Sequence, residues 1–415
     1  MTRFLPTLIL SSLLIPAGAL AQNSPEAPKT PPIKTSAQGY VTYREFQTFE
    51  NDQSLSPFWK KQADLTVLEL KGEYAISPRS EFEFEIEFEH GGTGSAVEYD
   101  GLEEFGEFEG ETEKGGEVAL SEFYYKYKFS ENTRLKAGKI PVRISLGNMQ
   151  DNYLMYPSVN PSDVELFMLP YDWRELGAEV LQKVGPFSAT LAVVNGLNSE
   201  FFRTYNWVGG GYQKRTEEVN AGNLALHSTL QWGDMTKGDG IGIAGYYGDT
   251  TDNRFKRGKV SASGQVLLYS VMGVYHWMDL GVRFQHIEGS LQNSDKISNA
   301  NATLIGQAAP GNFSSLGHTA RLSSIELSYE ALKSDEASLT GFASYQMVNT
   351  MLSVEGTINK SDRYNRLVTS LGLCWRFEKV MFLKLEGLQY STAMDGLPDT
   401  KEYRMALGFD LAHFN

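Results

Sequence analysis

The sequence predicts an all-β chain: a transmembrane antiparallel β-barrel of about sixteen strands with an inward-folded constriction loop. Three observations carry that prediction. Apolar and polar residues alternate with a period of two; short turns alternate with long connectors; and beyond the N-terminus no apolar run reaches the ~18 residues a membrane helix requires.

Taken in order, the chain opens with Met1-Thr2-Arg3 and an apolar run from Phe4 to Leu20 that closes on Ala19-Leu20-Ala21. One positive charge, a short apolar core and an Ala-x-Ala site predict a signal peptide over 1–21. Residues 22–38 hold four prolines and few large apolar side chains, which predicts an extended periplasmic lead, with the barrel filling 39–415. Removing 1–21 takes away one Arg of the 37 basic residues and none of the 51 acids, leaving 36 against 51, a formal charge of −15. That acidity speaks against a nucleic-acid partner. Cys374 is the single cysteine, so no intramolecular disulfide can form. An exported chain rich in Gly, Tyr and Phe without a membrane helix fits the outer membrane of a Gram-negative cell.

The sharpest strand signal is Glu81 to Glu89, where Glu81, Glu83, Glu85, Glu87 and Glu89 alternate with Phe82, Phe84, Ile86 and Phe88. Successive strand side chains point to opposite faces, so one wall is acidic and the other apolar. A half-buried strand of a soluble sandwich would read the same way. The connectors decide between them. Short turns at Ser77-Pro78-Arg79, Ser130 to Thr133, Val184-Gly185-Pro186, Gly233 to Asp239 and Lys333 to Glu336 alternate with long segments near 91–116, 142–172, 196–221, 289–315 and 351–362. Sorting of this kind belongs to a spanning barrel.

Other strands repeat the pattern. Thr66, Leu68, Leu70, Gly72, Tyr74 and Ile76 are expected to face lipid, with Val67, Glu69, Lys71 and Glu73 facing the lumen. Phe123, Tyr125, Tyr127 and Phe129 oppose Glu122, Tyr124, Lys126 and Lys128; Leu367 to Phe377 oppose Arg366, Ser370, Cys374 and Arg376; Tyr403 to Leu411 oppose Arg404 and Asp410. Tyr74, Phe129 and Phe377 beside the short turns predict an aromatic girdle. Lys or Arg facing lipid at mid-depth costs ~2–4 kcal/mol and Glu somewhat less, so the five glutamates must line the lumen. A hairpin turn at 77–79 then sets Lys71 opposite Glu85 and Leu70 opposite Ile86; a one-residue slip would mix the rows. Phe414, next to last, falls in the inward row of the closing strand.

Two connectors carry chemistry. Glu98 to Glu117 holds nine carboxylates and one base, Lys114, without EF-hand spacing; it reads as a solvated charge run whose field attracts cations. Pro141 to Asp172 retains too much Met, Leu, Phe and Tyr for a solvated loop. It is expected either to fold into the lumen or to pack against neighbouring subunits. Arg143, Asp151, Asp163, Glu165 and Asp172 are the constriction candidates, facing wall bases such as Lys126, Lys128, Lys139 and Arg283.

The run Gly116-Glu117-Val118 to Phe129, then Leu135 to Pro141, Asn148, Tyr156-Pro157, Val159-Asn160-Pro161, Glu165 and Leu169 to Gly177, resembles the phosphate-selective porin O/P family of outer-membrane porins. Glu69 to Gly94 is similar to that family's second hairpin, and the likeness spans roughly residues 64–197. The resemblance implies a sixteen-stranded barrel, commonly a homotrimer, with an inward-folded third loop. Anion selection needs a dense track of Arg and Lys. Here the most regular strand contributes five acids, and no phosphate-binding residue is carried over.

The expected function is therefore passive diffusion of small hydrophilic solutes or ions through a water-filled barrel. Its surroundings would be outer-membrane lipid and lipopolysaccharide. A phosphate- or anion-selective channel and a closed surface-adhesion or structural barrel are the alternatives. No enzyme activity or cofactor is expected: His90, His227, His276, His286, His318 and His413 are scattered and no Gly-x-Ser-x-Gly elbow occurs.

Overall fold

Residues of alternating character along an extended chain leave backbone polar groups that lipid cannot satisfy, and only closure of the sheet pairs them all. A computed structural model shows that closure. It describes residues 33–49, 56–92, 116–150, 152–213, 218–303 and 315–411. Sixteen antiparallel strands follow one another as hairpins, and the last pairs with the first. They are β1 (Ile33–Thr48), β2 (Phe58–Ser77), β3 (Ser80–Glu89), β4 (Glu117–Lys128), β5 (Thr133–Pro141), β6 (Arg174–Val184), β7 (Phe187–Asn195) and β8 (Leu224–Gly233). The second half comprises β9 (Gly240–Asp249), β10 (Gln265–Trp277), β11 (Leu280–Leu291), β12 (Thr319–Lys333), β13 (Ala337–Ser353), β14 (Asn365–Phe377), β15 (Met381–Thr392) and β16 (Thr400–Asp410). Short turns gather at one end and long loops at the other, as the sequence predicts. Among the described residues no helix is long and apolar enough to cross a membrane.

The predicted hairpin register is observed. Lys71 pairs with Glu85 and Leu70 with Ile86, which keeps Phe82 to Phe88 on the outer wall. Gly72 lies under the Phe84 ring, where an added Cβ would stand 2.3 Å from its tip, so an aromatic covers the gap in the outward row. Aromatic residues collect at both rims. Tyr74, Phe129, Phe187, Trp232 and Trp277 are exposed beside the short turns, and Trp59 stacks on Tyr403 with centroids 5.8 Å apart toward the loops. Phe377 sits against Trp375 at the short-turn rim.

Two details differ from expectation. The first strand begins at Ile33, not Gly39: Ile33 to Gln38 pair with Tyr74 to Glu69 of β2. The long β2 supplies a ladder that holds these residues despite the prolines just ahead of them. In β4 the ladder slips between Glu85 and Ile86, so that Ser121 is an extra residue. Without that bulge Val118 and Leu120 would share the lumen row of Glu122 and Tyr124; with it both stay on the outer wall. Deleting Ser121 is therefore expected to leave both rows in place and to change folding stability by less than about 1 kcal/mol, whereas deleting Phe123 flips the rows. Urea unfolding of the two variants in lipid vesicles measures the contrast; equal losses would refute the bulge assignment.

The lumen is not uniform. The inward rows of β7 to β11 carry polar groups such as Thr190, His227, Gln231, Arg283 and Gln285, but also a set of apolar side chains, with Val194, Ala225, Val266, Leu268, Met272, Val274 and Ile287 buried. They form one cluster with loop residues Leu146, Val164, Met168, Phe202, Trp207 and Ile297. Strand β10 is apolar on both faces because one meets lipid and the other meets folded-in loops. Charge concentrates on the opposite wall, β1 to β6.

Candidate pore and its constriction

The segment 142–173 leaves β5 and crosses the lumen. Its backbone polar groups have no strand partners inside the barrel, so wall side chains supply them. At the near side the Arg143 N–H donates to His227 Nε2 on β8 at 3.2 Å, while the His227 Nδ1 lies 3.1 Å from the Gly245 carbonyl, as the neutral tautomer requires. A short helix, α1 (Leu146–Met149), follows. Ser145 caps it by accepting from the Asn148 N–H, and the Leu146 N–H reaches Gln285 of β11 at 2.9 Å. Farther on, Arg283 of β11 holds the Gln150 side chain through Nε and Nη2 at 3.1 and 2.9 Å. Lys384 of β15 donates to the carbonyls of Tyr153 and Ser158, each at 2.8 Å. The Val159 N–H finds Glu386, and the Asp163 N–H finds Gln346 of β13. Asp163 then pairs with Arg404 of β16 at 2.5 Å. The loop therefore spans from β5 to the far wall, and of the two expectations the inward one describes it.

Glu165 ties the loop to itself. Its Oε1 accepts from the Gly147 N–H at 3.1 Å and from Gln285 at 2.6 Å; Oε2 accepts from Ser145 at 2.7 Å. Gly147 is required there, since a Cβ would stand 2.4 Å from Oε2. Burial pushes the Glu165 carboxyl above its ordinary value of 4.5, opposed by those hydrogen bonds and by Arg283. A carboxyl raised in the folded loop binds its proton more tightly there than in the released loop. Its contribution to docking is full below the ordinary value and is lost as pH rises through the folded one. Acidification toward the ordinary carboxyl range is thus expected to quiet fluctuations of the loop, and Glu165→Gln to abolish that response. Channel noise against pH reads both; an unchanged slope in Glu165→Gln would refute it.

What stays open is a lane along β1 to β6. Three cavities of about 270, 260 and 230 Å³ follow one another from the short turns to the loops. The first two share Lys71, Glu83, Glu85 and Glu122; the second and third share Gly147, Asn148, Asp172 and Arg174. Where they meet, Arg174 bonds Glu85 at 3.1 Å and Glu122 at 3.0 Å and also pairs with Asp172; Lys71 bonds Glu85 at 2.7 Å. This is where the ion pairs of the lane are densest.

Most of the residues expected on the wall fall into three groups. Glu69, Lys71, Glu73, Glu83, Glu85, Glu87, Glu89 and Glu122 line the lane. Lys126 pairs with Glu81 and Glu83, and Lys128 with Glu81 at 3.4 Å, on their own wall. Arg283, Arg366 and Arg404 hold loops: Arg283 bonds Glu326, Arg366 donates to the Tyr205 carbonyl at 3.1 Å over the Phe167 ring, and Arg404 takes Asp163. Arg376 lies between β13 and β15, opposite Ser338 and Phe382. Lys139 departs from its expected place. It pairs with Phe123 and Leu176 of the outward rows, and its Nζ folds onto the Leu120 carbonyl at 2.9 Å. Ahead of Phe123, β4 has no partner on β5, and the lysine takes up a carbonyl left there. Among the described residues, the loop carboxylates Asp163 and Asp172 are met by Arg404 and Arg174 rather than by the bases expected for them. Arg143 approaches Glu179 at 3.6 Å. Asp151, Phe414 and the acidic run before Gly116 lie outside the described residues.

Sequence reading missed Arg174, the loop anchors Gln285, Gln346, Lys384 and Glu386, and the tyrosines beside Glu69. Gln38 and Tyr153 both hydrogen-bond Glu69. Lys384 and Glu386 stand alternately in an apolar strand, a signal for the inward row; which loop atoms they meet carries no local signal at all.

No family model matches the chain, and no curated protein matches it in sequence. In fold it is similar to OprB of Pseudomonas putida at 10% identity, covering 91% of this chain and 94% of that one with a TM-score of 0.53. It is also similar to OmpF of Salmonella typhi, 12% identical over 91% and 97% with a TM-score of 0.52. The outer membrane channel DcaP of Acinetobacter baumannii gives 12% identity over 91% and 96%, with a TM-score of 0.51. At such identities the likeness is one of fold: this chain folds as outer-membrane porins do.

Proposed function

We propose that this porin-fold chain is an outer-membrane channel that passes small hydrophilic solutes and ions by passive diffusion along the β1–β6 lane, with cations favoured. One observation carries the reading. Among the described residues the lane is lined by nine carboxylates (Glu69, Glu73, Glu83, Glu85, Glu87, Glu89, Glu122, Glu165, Asp172) and four Lys or Arg (Lys34, Lys71, Arg143, Arg174). Clefts lined by one sign of charge between low-dielectric walls concentrate the opposite ion. No chemical step is involved. Export by a signal peptide over 1–21, an outward face in lipid and lipopolysaccharide, and the homotrimer implied by the sequence resemblance complete the proposal.

The test is the reversal potential of the purified protein in a planar bilayer under a KCl gradient. A potential favouring K⁺ is expected; one favouring Cl⁻ would overturn the cation preference and revive the anion-selective alternative. The closed structural barrel has an observation in its favour, the apolar cluster that fills the β7–β11 side of the lumen. Absence of any single-channel current from folded protein would decide for it.

A further inference from the structure

The cavity at the loop end of the lane, about 230 Å³, is walled differently from the two before it. Tyr40, Tyr153, Tyr156 and Tyr171 line it together with Glu69 and Glu87. Tyr40 meets Tyr153 edge-on, with centroids 4.8 Å apart. Tyr156 already carries Lys384 over its ring at 4.2 Å, and Tyr40 and Tyr153 also pack on Phe382, so the open aromatic surface is that of Tyr171, 53% exposed. Both oxygens of Glu69 are taken, by Gln38 and by Tyr153. Glu87 is different. It is 4% exposed, and its Oε2 is buried without a hydrogen-bond partner.

A buried carboxylate oxygen without a donor is costly, and such an orphan in a native wall calls for a partner from outside the chain. The surroundings narrow what that partner is. Among the described residues no three His, Cys, Asp or Glu groups come together to hold a metal ion. Tyrosine rings cannot replace the water shell of a small hard cation, which takes oxygen ligands. They do attract cations that are large, weakly hydrated and partly apolar, through the negative face of the ring. Guanidinium and ammonium groups on a short carbon body meet both halves of the wall: N–H donors for Glu87 and a carbon body for the tyrosines.

We propose that this cavity is a binding station for small organic cations bearing a guanidinium or ammonium group, with Glu87 as the carboxylate that receives it. The proposal rests on the cation-conducting reading of the lane and names the solute class that reading leaves open.

Methylguanidinium is the probe, and N-methylurea, of similar shape but neutral, is its control. Methylguanidinium added at the loop side of a single channel in KCl is expected to reduce the K⁺ current in a saturable way, while N-methylurea does not. In Glu87→Gln the half-blocking concentration is expected to rise about tenfold, the loss of one charged hydrogen bond. Tyr171→Ala, a half-exposed loop side chain, is expected to weaken block with the charge intact. Calorimetric titration of the intact detergent-solubilised protein reads the same binding without a current. Equal affinity in wild type and Glu87→Gln, or N-methylurea binding as well as methylguanidinium, would overturn the station. A K⁺-selective current with no methylguanidinium block also overturns it while leaving the channel standing; no current at all removes the channel, and the calorimetric contrast alone then decides the station.

Discussion

Replacing residues 145–170 by a short turn is expected to raise single-channel conductance at least about twofold, because a sixteen-stranded barrel without an inward loop leaves a broad aqueous channel. The barrel should survive the change. Its closure rests on backbone ladders that run through all sixteen strands, β1 to β16 included, and none of them uses this loop. The wall groups that hold the loop, among them Arg283, Gln346, Lys384 and Arg404, would lose partners. They would face water rather than lipid, however, and water supplies the missing hydrogen bonds. The exposed apolar row of β7 to β11 is the main penalty, so some loss of stability should accompany the wider pore. Heat-modifiable mobility on gels checks folding, and bilayer recording checks conductance. A folded variant with unchanged conductance would mean that the loop does not set the width.

Arg174→Gln is the second. The Arg174 guanidinium is almost fully buried between Glu85, Glu122 and Asp172. Removing one partner of a buried ion pair costs about 3–5 kcal/mol, because the charge left behind keeps its desolvation penalty. Glu122 and Asp172 border the cavities and can recover some hydration, so about 2–3 kcal/mol is the expected loss here. Glu85, the most buried of the three, should account for most of it, although Lys71 at 2.7 Å still faces it. The effect on ions goes the other way: three carboxylates lose their shared base where the cavities meet, and the preference for K⁺ over Cl⁻ should rise several-fold. Pairing the change with Glu85→Gln should return part of the stability and part of the selectivity. Melting temperature and reversal potential are the two readouts. A lower cation preference in Arg174→Gln would refute the assignment of this cluster as the charge filter.

How far the sequence reached can be judged residue by residue. The Lys71–Glu85 pairing is legible because a short turn at Ser77-Pro78-Arg79 leaves the register little freedom once one row must avoid lipid; the structure reaches the same register with Ser77 opposite Ser80 and a bulge at Ile76. The start of β1 was not: prolines before Ile33 argued for an open lead, and only the length of β2 provides the partners that extend the strand. Lys139 carries no such signal: a lysine suggests the lumen row, and only the end of the β4–β5 ladder at Phe123 leaves the Leu120 carbonyl for it on the outer side. The apolar side of the lumen left a trace that was legible in principle, the unbroken run Val266-Leu267-Leu268-Tyr269 in β10, since a strand with water on one face does not read so.

By itself the sequence determined the barrel and its rows, and it marked the long segment after β5 as one that must bury itself somewhere. Each of these follows from a local rule: side chains alternate with a period of two, lipid excludes charge, and turns require particular residues. Which wall residues hold the loop, which carboxylates keep their partners, and where a lane remains were decided only by the tertiary structure. Arg404 meets Asp163 across 241 positions of chain, and Gln346 meets it across 183. Such contacts depend on the depth and angle at which a folded loop enters a closed wall. No window of neighbouring residues encodes that, because the partners become neighbours only after the sheet has closed.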